Sequence, residues 1–189
     1  MVAKKKSASK KPAKRAVKAK ATKKTTKKAA KKATSTKTKT EGATKAGKGK
    51  YYFPMKELKV VPAGTGYSTS HGGVVEGERM LVGYINKPRG TGSRMHSHPN
   101  EQFNYVMQGT LRCVINGKKS LAPAGTLVYV PANAPHTMVA TGQEDVIFLA
   151  LKDLSHGIIG KAVDGTMSGP HFDTGFGPET KGKRASRAK

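Results

Sequence analysis

The sequence predicts an all-β domain, a sandwich or a barrel, carried between two basic tails. Three observations predict it. From about residue 79 onward the apolar residues fall in short runs bounded by Gly, Pro or Asn. One boundary, Asn116-Gly117, is the pair that best fits a two-residue hairpin turn, where both residues take a left-handed backbone. No long stretch carries apolar residues at the spacing of an amphipathic helix.

Residues 1–50 come first and cannot form a core. They hold 19 Lys and one Arg against a single Glu, a net of +19. A four-residue repeat runs through Lys23-Lys24-Thr25-Thr26, Lys27-Lys28-Ala29-Ala30 and Lys31-Lys32-Ala33-Thr34. Met1, Val2 and Val17 are the only bulkier aliphatic residues, and like charges repel, so the free segment is expected to be disordered. Its composition resembles the tails of linker histones and bacterial histone-like proteins. That resemblance implies non-specific nucleic-acid binding and association with a nucleoid. Residues 178–189 form a second short basic tail, five basic residues against one Glu. The segment between, 51–177, has 11 basic and nine acidic residues. The overall +25 therefore belongs to the ends and says nothing about the domain.

Composition switches at Tyr51-Tyr52-Phe53-Pro54, the expected start of the domain. Its core is expected over 79–152, with a loop-rich extension over 153–177. The predicted strands follow in order. The first spans 79–86 and stops before Lys87-Pro88-Arg89-Gly90. The next two, 102–108 and 110–115, meet at Gly109. Asn116-Gly117 turns into 118–121, and 126–130, 136–141 and 146–151 complete the set. Cys113 alternates with Leu111 and Ile115, which places it on a core face; as the lone cysteine it forms no intrachain disulfide. The longest apolar run, 146–151, is too short to span a bilayer, and the first 30 residues hold no hydrophobic leader. A cytoplasmic protein without membrane contact is the expectation.

Chemistry concentrates in four side chains: His96, His98, Gln102 and His136. His96 and His98 stand two apart, which puts them on one face of a strand. Gln102 opens the next run, with Asn104 and Val106 on its face. His136 opens a third. Glycine and proline frame them: Gly90-x5-His96-x-His98-x3-Gln102-x6-Gly109, then Gly125-x5-Pro131-x-Asn133-x2-His136. This frame resembles the two motifs of the cupin superfamily. The chain departs from them at three places. Gln102 stands where the family has a metal-binding Glu, Asn133 where it has Gly, and Ala140 where it has Asn. Some small single-domain cupins, pectin-degradation cupins among them, carry Gln at that place. The resemblance implies a double-stranded β-helix, or jelly-roll, barrel over about 51–155. It also implies one divalent transition metal (Fe, Ni, Mn or Zn) held by His96, His98, Gln102 and His136, and a homodimer. Glu101, one residue early, is expected to face away from that metal.

Three imidazoles and one amide add no charge to a bound cation. Its full dipositive charge would act on the next ligand, which favours Lewis-acid chemistry on an anionic or chelating molecule and disfavours higher oxidation states. Strand alternation offers Arg94, Asn104, Tyr84 and Met138 as pocket residues, with Met80 a further wall candidate. His156 and His171 in the extension are expected mainly at the surface. Two functional classes stay open. One is a metal-dependent enzyme of isomerase or lyase type, or a dioxygenase, acting on a small carboxylated or carbohydrate-like molecule. The other is a non-catalytic ligand-binding cupin held on DNA by residues 1–50. No Ser/His/Asp array, phosphate-binding loop, Cys-rich zinc motif or helix-turn-helix is present.

Overall fold

The computed structural model describes residues 38–163 and 169–178. Among these residues there are strands and turns but no α-helix. The first sheet is built from β1 (Thr44–Lys45), β2 (Val60–Pro62), β3 (His71–Glu76), β4 (Met80–Lys87), β7 (Gln102–Gln108), β10 (Leu127–Val130) and β12 (Val146–Asp153). Its order is β1-β3-β4-β12-β7-β10, with β2 also on β3. The second is built from β5 (Thr91–Gly92), β6 (His96–Ser97), β8 (Thr110–Ile115), β9 (Lys118–Pro123), β11 (His136–Ala140), β13 (Lys161–Ala162) and β14 (His171–Phe172). In this sheet β11 is central: it pairs with β5, β6 and β8, and β9 completes the hairpin. The chain passes repeatedly between the two sheets, as in a jelly roll.

Period-two alternation explains the core. In β4 the inward residues are Leu81, Gly83, Ile85 and Lys87; in β12 they are Val146, Phe148, Ala150 and Lys152. The two strands pair along their whole length, from Val146 opposite Lys87 to Asp153 opposite Met80. Val106, Leu111, Val130 and Ala140 are fully buried between the sheets. Cys113 is there too, and burial pushes its thiol up to about 11. Asn116 and Gly117 have φ of 48° and 77°, the mirror-image turn that matches the twist of β8 and β9. Asn133, where the family motif has Gly, also sits in the left-handed region, at φ 61°. Gly90 does so at φ 66°, and a Cβ there would lie 2.2 Å from the Phe176 ring.

The expected strands form within one or two residues of their predicted ends. β3 escaped prediction because Gly72-Gly73 reads as a loop. Those glycines let two backbones close up, since a Cβ on Gly72 would lie 1.9 Å from the Tyr84 carbonyl oxygen. Paired structure also begins before Tyr51. β1 lies parallel to β3, and the buried Glu76 carboxylate accepts the backbone N–H groups of Lys39 (2.8 Å) and Thr40 (2.7 Å). Composition marks where lysines thin out, whereas backbone pairing is indifferent to an exposed lysine side chain. Of the segment 1–50, residues 1–37 lie outside the described residues. The extension is less loose than its glycines suggest: β13 pairs with β6 and β14 with β5.

Candidate metal centre

Both sheets supply the site. His96 and His136 are directly opposed across the β6–β11 ladder, which brings their ring centroids to 4.0 Å. His98 follows β6 and turns back onto His136, at 4.9 Å. The Asn133 N–H holds that turn by donating to the His98 carbonyl, 2.8 Å away. All three rings are buried, and their nearest ligating nitrogens lie within 4.8 Å of one another.

The tautomer of each ring follows from its partner. The Nδ1 of His96 faces the Arg94 carbonyl at 2.8 Å, that of His98 the Asn100 carbonyl at 2.7 Å, and that of His136 the Ala134 carbonyl at 2.9 Å. A carbonyl only accepts, so each Nδ1 carries the proton and each Nε2 a lone pair. Burial lowers all three pKa values, to about 4 for His98 and His136 and further for His96. The neighbouring His136 adds to the effect at His96, and the Lys152 ammonium adds to it at His98. The cluster therefore presents neutral imidazoles. The Nε2 of His98 is buried with no hydrogen-bond partner. An orphaned lone pair beside two others fits a cation, and the donor set suits a transition metal.

Gln102 enters from the facing sheet at the head of β7 and is buried. Its Nε2 donates to Asn104 Oδ1 at 2.6 Å. The oxygen of that amide keeps its lone pairs for a cation or a bound molecule. Asn104 in turn donates to Met138 Sδ at 3.2 Å. Gln102, His96, His136 and Met138 line one small cavity with room for only a few waters. Asn104 lies behind Gln102 and orients it. Glu101 is exposed, and its carboxylate accepts the Tyr129 hydroxyl at 3.2 Å, so it faces away from the cluster.

Three pocket candidates lie elsewhere. Arg94 is exposed, and its Nε donates to the Gly169 carbonyl at 2.8 Å. Only its backbone carbonyl serves the site, through His96. Residues 91–98 are two short strands with a bend between, so two-residue alternation does not carry from His96 back to Arg94. Tyr84 and Met80 occupy the outward row of β4; the Lys56 ammonium lies over the Tyr84 ring, and Met80 is exposed. The inward row is the one headed by Leu81. His156 and His171 do not line the cavity; His171 pairs with Asp173 at 2.9 Å on the surface of the extension.

Three titratable lining residues were missed. Tyr67 packs its ring on His96 at 4.5 Å, and its hydroxyl accepts the Gly160 N–H at 2.7 Å. Burial pushes that phenol up to about 12. Lys87 and Lys152 close the inward rows of β4 and β12. Lys87 Nζ donates to Ser70 Oγ at 2.6 Å, and Lys152 Nζ to the Ile158 carbonyl at 2.8 Å. Burial lowers both ammoniums to about 7. The signal was in the sequence: each lysine continues an apolar row at period two. Lys87 was read as part of a turn, and Lys152 was left just past the end of the last predicted strand.

Comparison with known proteins agrees with the fold. A protein-family model described as a cupin domain matches residues 84–152. Solved structures of similar fold include the plu4264 protein of Photorhabdus luminescens, at 25% identity and TM-score 0.37. That match covers 39% of this chain and 61% of the other, so the chain spans under two thirds of that relative's length. KdgF from a Halomonas species matches at 20% identity and TM-score 0.48, over 56% of this chain and 93% of KdgF. The polyketide cyclase RemF of Streptomyces resistomycificus matches at 16% identity and TM-score 0.50, over 55% and 79%. No curated protein matches the chain.

Proposed function

We propose that this chain, a member of the cupin superfamily, holds one divalent transition metal at His96, His98 and His136 with Gln102 as a fourth donor. On this reading it is an enzyme of isomerase or lyase type acting on a small carboxylated or carbohydrate-like molecule. The observation that carries the proposal is the common tautomer of the three histidines. Backbone carbonyls hold every Nδ1–H, which leaves each Nε2 with its lone pair in a buried cluster whose ligating nitrogens lie within 4.8 Å of one another. A metal bound there supplies Lewis acidity toward a carbonyl or hydroxyl oxygen. The protein's own part is positional. Asn104 fixes the Gln102 amide, Tyr67 braces the His96 ring, and the small cavity limits water around a bound molecule. A second reading keeps the same site without catalysis: a ligand-binding cupin held on nucleic acid by residues 1–50, favoured by the +19 charge of that segment.

Elemental analysis of untagged protein tests the metal assignment. Wild type is expected to carry close to one metal per chain. His98→Ala and His136→Ala lose most of it. Gln102→Ala loses less, because water can replace a neutral oxygen donor, and Glu101→Ala loses none. Equal metal content in wild type and both histidine variants would overturn the assignment.

A further inference from the structure

We infer that Tyr51 and Tyr52 are a stacking platform for the bases of single-stranded nucleic acid, placed where the basic segment joins the cupin domain. The inference is independent of the metal and rests on the reading of residues 1–50 as a nucleic-acid-binding segment. Among the described residues these are the most exposed of the large apolar side chains, at 76% and 88%. Each ring is open over most of its surface, as it must be to take a base against its face. Phe53, Met55 and Leu58, which follow them, are half-buried. Local structure sets the two rings where they are. The Glu76 carboxylate accepts the Lys39 N–H, and the Glu76 carbonyl accepts the Ala46 N–H at 2.8 Å, so residues 39 and 46 meet at the end of β3. The chain then doubles back, with the Lys50 N–H donating to the Gly47 carbonyl at 3.2 Å. A Cβ on Gly47 or Gly49 would meet nothing within 4 Å, so the turn is open on its outside. Tyr51 and Tyr52 follow it directly, close to the point where residues 38 and 39 enter the fold.

Charge names the occupant. Lys45, Lys48, Lys50, Lys56 and Lys59 surround the pair in sequence, all exposed, with Glu57 as the one acidic residue between 45 and 59. The Lys50 ammonium lies 5.3 Å from the centroid of the Phe53 ring, which keeps a cation within the aromatic run. Residues 1–50 carry +19. A polyanion with flat apolar faces answers both features, and nucleic acid is such a polyanion. In a duplex the bases are stacked on one another; a single strand offers them to a protein ring. A second copy of this chain brings the same positive charge and is repelled. An anionic lipid surface answers the charge too, but between residues 45 and 59 no large aliphatic side chain is exposed to enter it, only two phenols with their hydroxyls.

The test titrates the full chain into labelled strands of equal length at about 0.15 M salt, followed by fluorescence anisotropy. The strands are oligothymidine, oligouridine, an abasic strand with the same number of phosphates, and a duplex. Wild type is expected to bind a base-bearing strand at least about tenfold tighter than the abasic one, which needs no variant. Either base-bearing strand carries the inference, and the ratio between them tells whether DNA or RNA is the source. The double variant Tyr51→Ala, Tyr52→Ala should erase the preference for bases and leave duplex affinity unchanged, because every lysine is kept. Tyr51→Phe with Tyr52→Phe should restore it, since a phenyl ring stacks without the hydroxyl. Equal binding of base-bearing and abasic strands by wild type, or an unchanged ratio in the alanine variant, would overturn the platform and leave the tail as an electrostatic tether. A duplex affinity that falls as far as the single-strand one would overturn it as well. If neither strand nor duplex binds, the nucleic-acid reading and the platform fall together. Vesicles of phosphatidylserine and phosphatidylcholine are the last arm: vesicle binding that needs the tyrosines, with no preference for base-bearing strands, would make this a lipid-binding surface and sink the inference.

Discussion

Raising the pH should stabilise the metal-free protein through an unusually wide range. Lys87 and Lys152 titrate near 7 in the folded chain and near 10.5 once unfolded. Between those values the unfolded state binds more protons than the folded one, so the free energy of unfolding rises with pH. His98 and His136 act the same way lower down, between about 4 folded and 6.5 unfolded. Each of these histidines would withdraw roughly 3 kcal/mol of stability as the pH falls through that window. Two such losses are comparable to the whole stability of a typical domain, about 5–15 kcal/mol, so acid unfolding should be complete before pH 4. Each lysine should return several kcal/mol between pH 7 and 10.5, at about 2–4 °C per kcal/mol for a chain of this size. Chelator-treated protein is melted by circular dichroism from pH 4 to 10 at constant ionic strength. The falling net charge of the tails works in the same direction, so the variants carry the test. Lys87→Met and Lys152→Met should each flatten the limb above pH 7, and each should be more stable than wild type at pH 7. A wild-type melting temperature that peaks near pH 7, or variants that keep the full upper slope, would refute the reasoning.

A fragment starting at Tyr51 should melt on the order of 5–10 °C below one starting at residue 38. It loses β1, the two N–H donors to buried Glu76, and the Thr40 hydroxyl that accepts the Ile158 N–H at 3.0 Å. Equal melting points would mean that residues 38–50 add nothing to the fold. Gly72→Ala should cost more than about 2 kcal/mol in chemical denaturation, because its Cβ meets backbone rather than a side chain that can move. Residues 1–50 should bind duplex DNA without sequence preference. With about eight phosphates engaged, the log–log salt slope would be roughly −7. Titrations with full-length and tail-less protein at several salt concentrations check this, and salt-insensitive binding would count against a tether.

Much of the fold was legible because a strand's side-chain direction is a local, two-residue property. The Asn116-Gly117 hairpin, the inward position of Cys113, the outward position of Glu101 and the pairing of Gln102 with Asn104 all follow from alternation and turn chemistry. The histidine set was legible because its glycine and proline frame has fixed spacing. Alternation does not say which parity faces the interior, and it fails across a bend. Tyr84 and Met80 were assigned to the wrong row for the first reason, and Arg94 for the second. Lys87 and Lys152 went unread because a lysine at a strand end is exposed in most proteins. Whether it is buried depends on what lies across the barrel. The convergence of His96 with His136, and of both with Gln102 from the opposite sheet, is likewise a matter of tertiary structure. Those residues are up to 40 positions apart, and only the pairing of β6, β7 and β11 with their neighbours sets the distances between them.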